Sequence, residues 1–318
     1  MLPSVLPTET DHVPVLADEV LTSLDPHPGE TVVDCTFGAG GHSAMLAARL
    51  RGEGKLIAID RDPTVEQYFE RFRRSTAAKT RLLSGEFSTV LEQLAENGVK
   101  ADAILMDLGV SSMQLDRPER GFSYAVDAPL DMRMDPSADL SAADVVNEYS
   151  EQNLAQIFKS YGEERYARQI SRAINRQRLK KPYTRTGELV DTIKASIPAP
   201  ARFGEGHPAK RVFQALRIEV NDELGAVQRA LPAALEMLRP GGRLAVISFH
   251  SLEDRIVKQF LRHEEQGCTC PPEFPICNCG ASPSLRATPR RAIRPSAAEI
   301  ARNPRSQSAR LRVAVKSG

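Results

Sequence analysis

Residues 34–43 read Asp-Cys-Thr-Phe-Gly-Ala-Gly-Gly-His-Ser, and this stretch indicates the fold more directly than any other part of the chain. An apolar run at 31–33 precedes it and a helix-forming run at 43–48 follows it. A strand, a glycine-rich turn and a helix form a ligand site of the nucleotide-binding type, because glycine lets a ligand approach the backbone and the helix N-terminus offers unpaired N–H groups. The stretch therefore predicts such a site at the end of the first strand.

The apolar segments around this turn predict a parallel sheet. Four of them are predicted to be buried strands: 31–34, 56–60, 103–107 and 243–249. Three end in aspartate, and helical stretches separate the early ones, which is the pattern of a doubly wound α/β sheet. Ligands bind such sheets at the carboxyl ends of the strands, so we expect Asp34, Asp60 and Asp107 at one edge.

The strand spacing then breaks, which predicts an insertion. The gap between residues 107 and 243 is 136 residues, whereas a βαβ unit needs only about 30. Residues from 141 to about 218 look helical throughout, with a proline- and glycine-containing break at 197–208. We therefore predict a discontinuous α/β domain of residues 1–137 and 218–318, and an inserted α-helical, substrate-binding domain of residues 138–217.

Composition is that of an ordinary globular protein. The chain has 318 residues, of which 41% are hydrophobic and 26% charged. It contains no apolar run of the roughly 18–20 residues that a membrane span needs, and its N-terminus does not resemble a signal peptide. We therefore expect a cytoplasmic protein without a membrane partner.

Charge is segregated along the chain. The net charge is +1, but residues 159–217 carry 14 Lys/Arg against 5 Asp/Glu, and residues 286–316 carry 9 against one. In the first of these segments four arginines follow helical spacing: Arg165, Arg168, Arg172 and Arg176. Such segregation is expected of a surface that binds a polyanion, and the alternative is a set of solvated helix faces with a flexible basic tail.

The glycine turn is compatible with more than one ligand. No Gly-Lys-Ser/Thr follows it, which excludes a phosphate-binding P-loop, and a dinucleotide fingerprint needs a third glycine where Ser43 stands. Asp-x-x-x-Gly-x-Gly is instead the pattern of S-adenosylmethionine methyltransferases. Asp60 lies 20 residues after Gly40, where a carboxylate accepts both ribose hydroxyls. NAD enzymes share that feature, and a role for Asp60 as a helix cap is the structural alternative.

The segment after Asp107 is where a methyltransferase of this type holds its acceptor. It reads Leu-Gly-Val-Ser-Ser, whereas DNA amino-methyltransferases carry Asp/Asn-Pro-Pro-Tyr/Phe there. An exocyclic amine is a poor nucleophile because its lone pair is delocalised into the ring, and accepting hydrogen bonds from it restores nucleophilicity. Asp107 is therefore a candidate for positioning the acceptor.

Taken together, the sequence resembles the bacterial 16S rRNA cytosine-1402 N4-methyltransferases. The resembling blocks are 12–16, 34–43, 58–62, 107–112, 114–116, 119–123, 129–135, 161–165, 241–258 and 303–313. The resemblance implies a Rossmann-like class I methyltransferase sheet, S-adenosylmethionine as cofactor, and 16S rRNA as partner within the small ribosomal subunit. By motif position it implies seven cofactor contacts: Gly40, Gly41, His42, Asp60, Phe87, Asp107 and Gln114.

Several points stay open at the level of sequence. His250 borders the expected acceptor pocket, where it either accepts a proton or makes a structural hydrogen bond. A methyltransferase for DNA or another RNA, and an RNA-binding assembly factor without turnover, are the alternative functions. Four clustered cysteines, Cys268, Cys270, Cys277 and Cys279, fit a structural zinc site or reduced free thiols. Cys35 is expected to serve packing only.

Overall fold

The computed structural model describes residues 14–202, 206–267, 270 and 282–318. These residues form two compact units. The first unit comprises the described residues up to Gly109 together with those from Ala226 onward, and the second comprises those between Val110 and Gly225. The predicted inserted domain of residues 138–217 falls within the second unit, and its role in substrate binding stays a prediction.

The first unit contains a seven-stranded sheet. Its strands are β1 (Thr31–Asp34), β2 (Lys55–Asp60), β3 (Lys79–Ser84), β4 (Ala101–Asp107), β5 (Leu238–Ser248), β6 (Leu285–Ala287) and β7 (Arg310–Lys316). They lie in the order β3-β2-β1-β4-β5-β7-β6, and β7 runs antiparallel to both of its neighbours. The predicted doubly wound α/β sheet is confirmed, and the strand order reverses between β1 and β4.

The α-helices of the described residues are α1 (Ala17–Leu24), α2 (Gly41–Arg49), α3 (Glu66–Ser75), α4 (Phe87–Glu96), α5 (Ser112–Leu115), α6 (Ala142–Glu148), α7 (Glu151–Ser160), α8 (Ala167–Arg178), α9 (Thr186–Ser196), α10 (Ala199–Arg202), α11 (Lys210–Asn221), α12 (Glu223–Met237), α13 (Ser251–Gln266) and α14 (Ala297–Arg302). None of these helices is both long and apolar enough to cross a bilayer.

The apolar strands of the first unit are buried because helices cover the sheet. Val33 of β1 and Ile104 of β4 are fully buried, and they belong to one core with Leu91 of α4 and Val257 of α13. A fully buried parallel strand needs an uninterrupted apolar run, which is what the sequence has in β1, β2 and β4. The core thus fixes the strand ends that carry the polar side chains.

Strands β3, β6 and β7 are not among the four strands predicted from the sequence. β7 reads Arg-Leu-Arg-Val-Ala-Val-Lys, and its alternating charges disguise a strand that lies between β5 and the edge strand β6. Arg310 and Arg312 both donate to the Asp254 carboxylate of α13, at 2.8 and 2.7 Å. The Asp254 carboxylate therefore compensates part of their charge, and the strand pairs with β5.

The second unit is helical and has a core of its own. Helices α6 to α9 and α11 contribute its fully buried side chains, among them Val146, Phe158, Ile174 and Leu216. Residues 141–218 are predicted to be helical with a break at 197–208, and α10 is a short helix inside that break.

Two loops of the second unit, 117–123 and 129–135, are bonded to each other. The Arg120 guanidinium donates to the carbonyls of Arg133 and Met134, at 2.8 and 2.9 Å. The side chain of Asn221, at the end of α11, donates to the Met132 carbonyl and accepts from the Met134 N–H, both at 2.8 Å. These two blocks of the family resemblance therefore serve the structure of the unit.

Candidate active site

The glycine turn after β1 lies against the end of β2. Phe37 N–H donates to the Ile59 carbonyl at 3.0 Å, and Gly38 N–H donates to Asp60 Oδ2 at 2.8 Å. On the other side of β1, Cys35 N–H donates to the Leu105 carbonyl at 2.9 Å. The turn is thus anchored to both neighbouring strands at the carboxyl edge of the sheet, where ligands of this fold bind.

Gly40 is required by the shape of the turn. Its φ is 82°, in the left-handed region, and a Cβ there would lie 2.7 Å from Cζ of Phe37. The Phe37 ring is itself fixed, because it packs against Phe69 and Phe72 with centroid distances of 5.5 and 5.7 Å. The Phe37 ring therefore packs directly against Gly40, where a side chain would not fit, and α2 begins at the next residue, Gly41.

Asp34 stabilises the glycine turn through buried hydrogen bonds. Its side chain is 1% exposed and accepts from Ser43 Oγ at 2.7 Å and from Thr36 N–H at 3.2 Å. Burial raises the pKa of this carboxyl above its usual range. Since Asp34 links β1 to α2 without facing solvent, it is a positioning residue.

Asp60 presents a carboxylate at the end of β2. It accepts from the N–H groups of Gly38 and Asp62, at 2.8 and 2.9 Å. Burial raises the pKa of Asp60 to about 6, and the nearby carboxylates of Asp62 and Asp34 contribute in the same direction. The cap of the following helical turn is Asp62, which accepts from Thr64 N–H at 3.0 Å, so the alternative role for Asp60 is already filled.

His42 and Asp107 face each other at the reversal point of the sheet. His42 Nε2 lies 3.6 Å from Asp107 Oδ2. Among the described residues, both ring nitrogens of His42 and Oδ1 of Asp107 are buried without a hydrogen-bond partner. Buried polar atoms are nearly always paired, so this cluster fits a ligand that both donates and accepts hydrogen bonds.

Thr36 is a site residue that the sequence did not reveal. Its Oγ1 accepts from the backbone N–H of Asp107 at 2.7 Å, which ties the turn after β1 to the end of β4. The two residues are 71 positions apart in the chain, and a threonine inside a glycine-rich turn carries no signal of such a contact.

Phe87 and Gln114 lie in different surroundings. Phe87 begins α4, directly after the N-cap Glu86, and its ring is half-buried against the core of the first unit. Gln114 belongs to the second unit, where its side chain is buried and Oε1 accepts from Ser111 N–H at 3.1 Å. The cofactor contacts assigned to both residues stay predictions.

His250 caps α13 at the end of β5. Its Nδ1 accepts from Glu253 N–H at 3.4 Å, and its Nε2 lies 3.1 Å from Glu253 Oε1. Glu253 is buried and accepts in turn from the N–H groups of Phe249 and His250, at 2.8 and 3.2 Å. The Nδ1 bond supports a structural role in the cap, whereas Nε2 is buried without a hydrogen-bond partner among the described residues.

The cysteines divide into two groups. Cys35 is buried beside Asp34, and burial raises the pKa of its thiol well above the usual range, which is consistent with packing. Cys270 is described, whereas Cys268, Cys277 and Cys279 lie outside the described residues, and so does the predicted zinc site.

The arginine stripe, which we define as Arg168, Arg172 and Arg176, lies on the exposed side of α8. Ile170 and Ile174 on the opposite side are fully buried. The fourth predicted member, Arg165, is exposed but precedes the helix, and its guanidinium lies 5.8 Å from the Tyr166 ring centroid.

In the C-terminal basic segment, residues 286–316, fewer cations are available to bind a polyanion than the charge count indicates. Arg310 and Arg312 are bonded to Asp254, and Lys316 Nζ donates to the carbonyls of Leu235 and Leu238 at 2.8 and 2.7 Å. Three of its nine cations are thus committed within the first unit. The alternative of a flexible basic tail does not hold for these three residues.

Comparison with known proteins gives a consistent result. The chain matches the model of the MraW methylase family over residues 9–317. It is 52% identical over 307 residues to the ribosomal RNA small subunit methyltransferase H of Heliobacterium modesticaldum, covering 96% of this chain and 98% of the relative. The protein of the same name from Symbiobacterium thermophilum is 49% identical over 306 residues, covering 96% of each chain.

Proposed function

Since the chain belongs to the MraW methylase family, we propose that it methylates the exocyclic N4 of cytosine 1402 in 16S rRNA, with S-adenosylmethionine as methyl donor. The observation that carries the proposal is the cluster of unpartnered polar atoms on His42 and Asp107, beside a preformed glycine turn and the Asp60 carboxylate. Carboxylate acceptor atoms suit a ligand with ribose hydroxyls and a positively charged sulfur.

The residues that would hold this cofactor are those assigned by motif: Gly40, Gly41, His42, Asp60, Phe87, Asp107 and Gln114. When bound, S-adenosylmethionine supplies an electrophilic methyl group. Gly40 and Gly41 are proposed to let the ligand approach the backbone, and Asp60 offers oxygens to the ribose hydroxyls. The free atoms of His42 support a polar contact at the same edge of the sheet.

Asp107 is proposed to position the acceptor. Its carboxylate accepts a hydrogen bond from the N4 amine, which reduces delocalisation of the nitrogen lone pair into the cytosine ring. With the donor bound, the N4–CH3 bond would form as the methyl–sulfur bond breaks and leaves a neutral thioether, and one N4 proton would leave to solvent. Thr36 fixes the backbone of Asp107, so the carboxylate is held in place before the base arrives. The base has to leave its stack to reach this edge, which implies base flipping.

We predict that cofactor affinity depends on pH through Asp60. The pKa of this carboxyl is about 6 in the free protein, and accepting ribose hydroxyls favours its ionised form. Binding therefore releases a proton below about pH 7, and affinity for S-adenosylmethionine falls as the pH drops through 6. Calorimetry at pH 5 and pH 7.5, in buffers of different ionisation enthalpy, measures both effects.

The Asp60→Asn variant is the control for this prediction. We expect it to bind S-adenosylmethionine about tenfold more weakly at pH 7.5, because a charged acceptor is lost, and to show no pH dependence in this range. A variant with wild-type affinity, or one that keeps the same proton release, would remove Asp60 from the site.

The RNA is proposed to bind along the arginine stripe. Replacing Arg168 and Arg172 by alanine is expected to weaken RNA binding on the order of tenfold at low salt, and to reduce the slope of log K against log salt by roughly 0.7–0.9 per lost phosphate contact. Filter binding at several salt concentrations measures both quantities, and cofactor affinity should not change.

A matched control removes two other exposed arginines. Arg71 and Arg74 lie on α3 in the first unit, and their double alanine variant loses the same net charge. If that variant loses as much affinity as the stripe variant, the effect belongs to net charge and the stripe has no specific role.

The methylated position is tested directly by mass spectrometry of 16S rRNA. Cells that lack this chain should lose one N4-methylcytidine, at position 1402, and regain it when the gene is restored. Purified protein should transfer methyl groups to small subunits from the deletion strain, and we propose the cytoplasm as the place where it acts. RNA binding without any methyl transfer would instead support an assembly factor.

Structural zinc at Cys268, Cys270, Cys277 and Cys279 is part of the proposal and rests on their spacing alone. Metal analysis of the purified protein decides between bound zinc and reduced thiols. A protein without stoichiometric zinc would exclude the zinc site.

A further inference from the structure

Leu179 has an apolar side chain that does not pack into the core of the second unit. It is 82% exposed, and among the described residues the other large exposed hydrophobic side chain is Val126, at 47%. Leu179 follows α8 directly, and its backbone stays in the right-handed helical region, with φ −67° and ψ −20°. Its direction therefore follows from the geometry of the helix.

Leu179 lies on the same side of the α8 axis as the arginine stripe. An α-helix turns about 100° per residue, so Leu179 lies within about 60° of each of Arg168, Arg172 and Arg176 around the helix axis. The rise of 1.5 Å per residue places it roughly 16 Å along the axis from Arg168. Leu179 thus lies just beyond the C-terminal end of the arginine stripe, on the face opposite to Ile170 and Ile174.

The surroundings of Leu179 are positively charged. Lys180 and Lys181 follow it and are exposed, and Arg176 lies one turn before it. In the part of the chain that the structure describes, neither Arg176 nor Lys180 has a carboxylate partner, whereas Lys181 pairs with Glu188 at 2.5 Å. An exposed leucine is commonplace alone, but here it ends a row of cations.

We propose that Leu179 contacts an unstacked base of the RNA substrate while the arginine stripe holds the adjacent phosphates. This inference rests on the proposed function, and it adds an apolar recognition residue to a surface otherwise defined by charge. Single-stranded and looped RNA exposes base faces to protein side chains, and leucine is among the apolar residues that wedge against bases.

Charge complementarity favours RNA over a protein partner at this surface. Protein interfaces are depleted of lysine at their apolar centre, and here Leu179 is followed by two lysines. Phosphate contacts fix the position of a nucleic acid, and base contacts add affinity that does not come from counterion release. The two kinds of contact therefore differ in their response to salt.

The test measures that difference on a synthetic RNA that carries the target cytosine in its 16S rRNA context. We expect Leu179→Ser to weaken binding about five- to tenfold at every salt concentration, with an unchanged slope of log K against log salt. Arg176→Ala should reduce the slope. Leu179→Phe keeps an apolar surface and should bind at least as tightly as the wild type.

Val126→Ser is the matched control, because Val126 is the other large exposed hydrophobic side chain among the described residues and lies in the same unit. The proposal is overturned if Leu179→Ser binds the RNA like the wild type, if its salt slope falls, or if Val126→Ser loses as much affinity. Weaker binding to assembled small subunits with unchanged binding to the RNA overturns it in favour of a ribosomal protein contact. Failure of the wild type to bind RNA would instead count against the proposed function.

Discussion

Replacing Asp107 by alanine is expected to lower kcat by at least about 100-fold, which corresponds to about 2.7 kcal/mol of lost transition-state stabilisation. The reason is the delocalised lone pair of the cytosine amine, which needs a hydrogen-bond acceptor next to N4 during transfer. Oδ1 of Asp107 is buried and unpartnered among the described residues, and Thr36 holds the backbone at 2.7 Å. Steady-state kinetics with small subunits from the deletion strain measures the effect.

The experiment also separates the two roles assigned to Asp107. If it positions the acceptor, kcat stays low at saturating S-adenosylmethionine, and Asp107→Asn recovers part of the rate because an amide oxygen still accepts one hydrogen bond. If it only binds the cofactor, the dissociation constant for S-adenosylmethionine rises and saturation restores kcat. A wild-type kcat in Asp107→Ala would remove the residue from the mechanism.

The sequence predicted the parts of the site that depend on local order. The glycine turn, Asp60 and Asp107 each follow a short apolar run, and parallel strands bring their carboxyl ends to one edge by topology. Thr36 could not be predicted, because its contact with Asp107 spans 71 residues and only the pairing of β1 with β4 creates it.

Local charge counts fail for a similar reason. The segment 286–316 reads as a basic tail, but β7 lies within it, and its Arg310 and Arg312 meet Asp254 across more than 50 residues. Charge alone cannot distinguish such a pair from a free phosphate-binding group, since the partner is known only once the strand is placed. The arginine stripe was predictable because the helical period itself separates its exposed and buried faces.

The block 119–123 is another place where residues that serve the fold resemble functional ones. Its charged residues suggest a catalytic role. Gly121 lies there with φ 74°, and a Cβ would lie 2.2 Å from the Pro129 carbonyl oxygen and 2.9 Å from Asp131 N. Both are backbone atoms of the loop 129–135, which is fixed by the bonds from Arg120 and Asn221. Neither loop can move away without breaking these contacts.

Gly121→Ala is therefore expected to lower the free energy of unfolding by about 3 kcal/mol or more, of which a left-handed alanine accounts for about 1 kcal/mol. Gly98→Ala is the control, because Gly98 has a similar φ of 70° and nothing within 4 Å of the added Cβ. It should cost only about 1 kcal/mol, so urea midpoints for the two variants isolate the steric part. Equal urea midpoints would mean that the two loops move apart to accommodate the added methyl group. A Gly121→Ala protein that stays folded at low temperature should keep its activity per folded molecule, because the glycine serves the fold of the second unit and not the transfer of the methyl group.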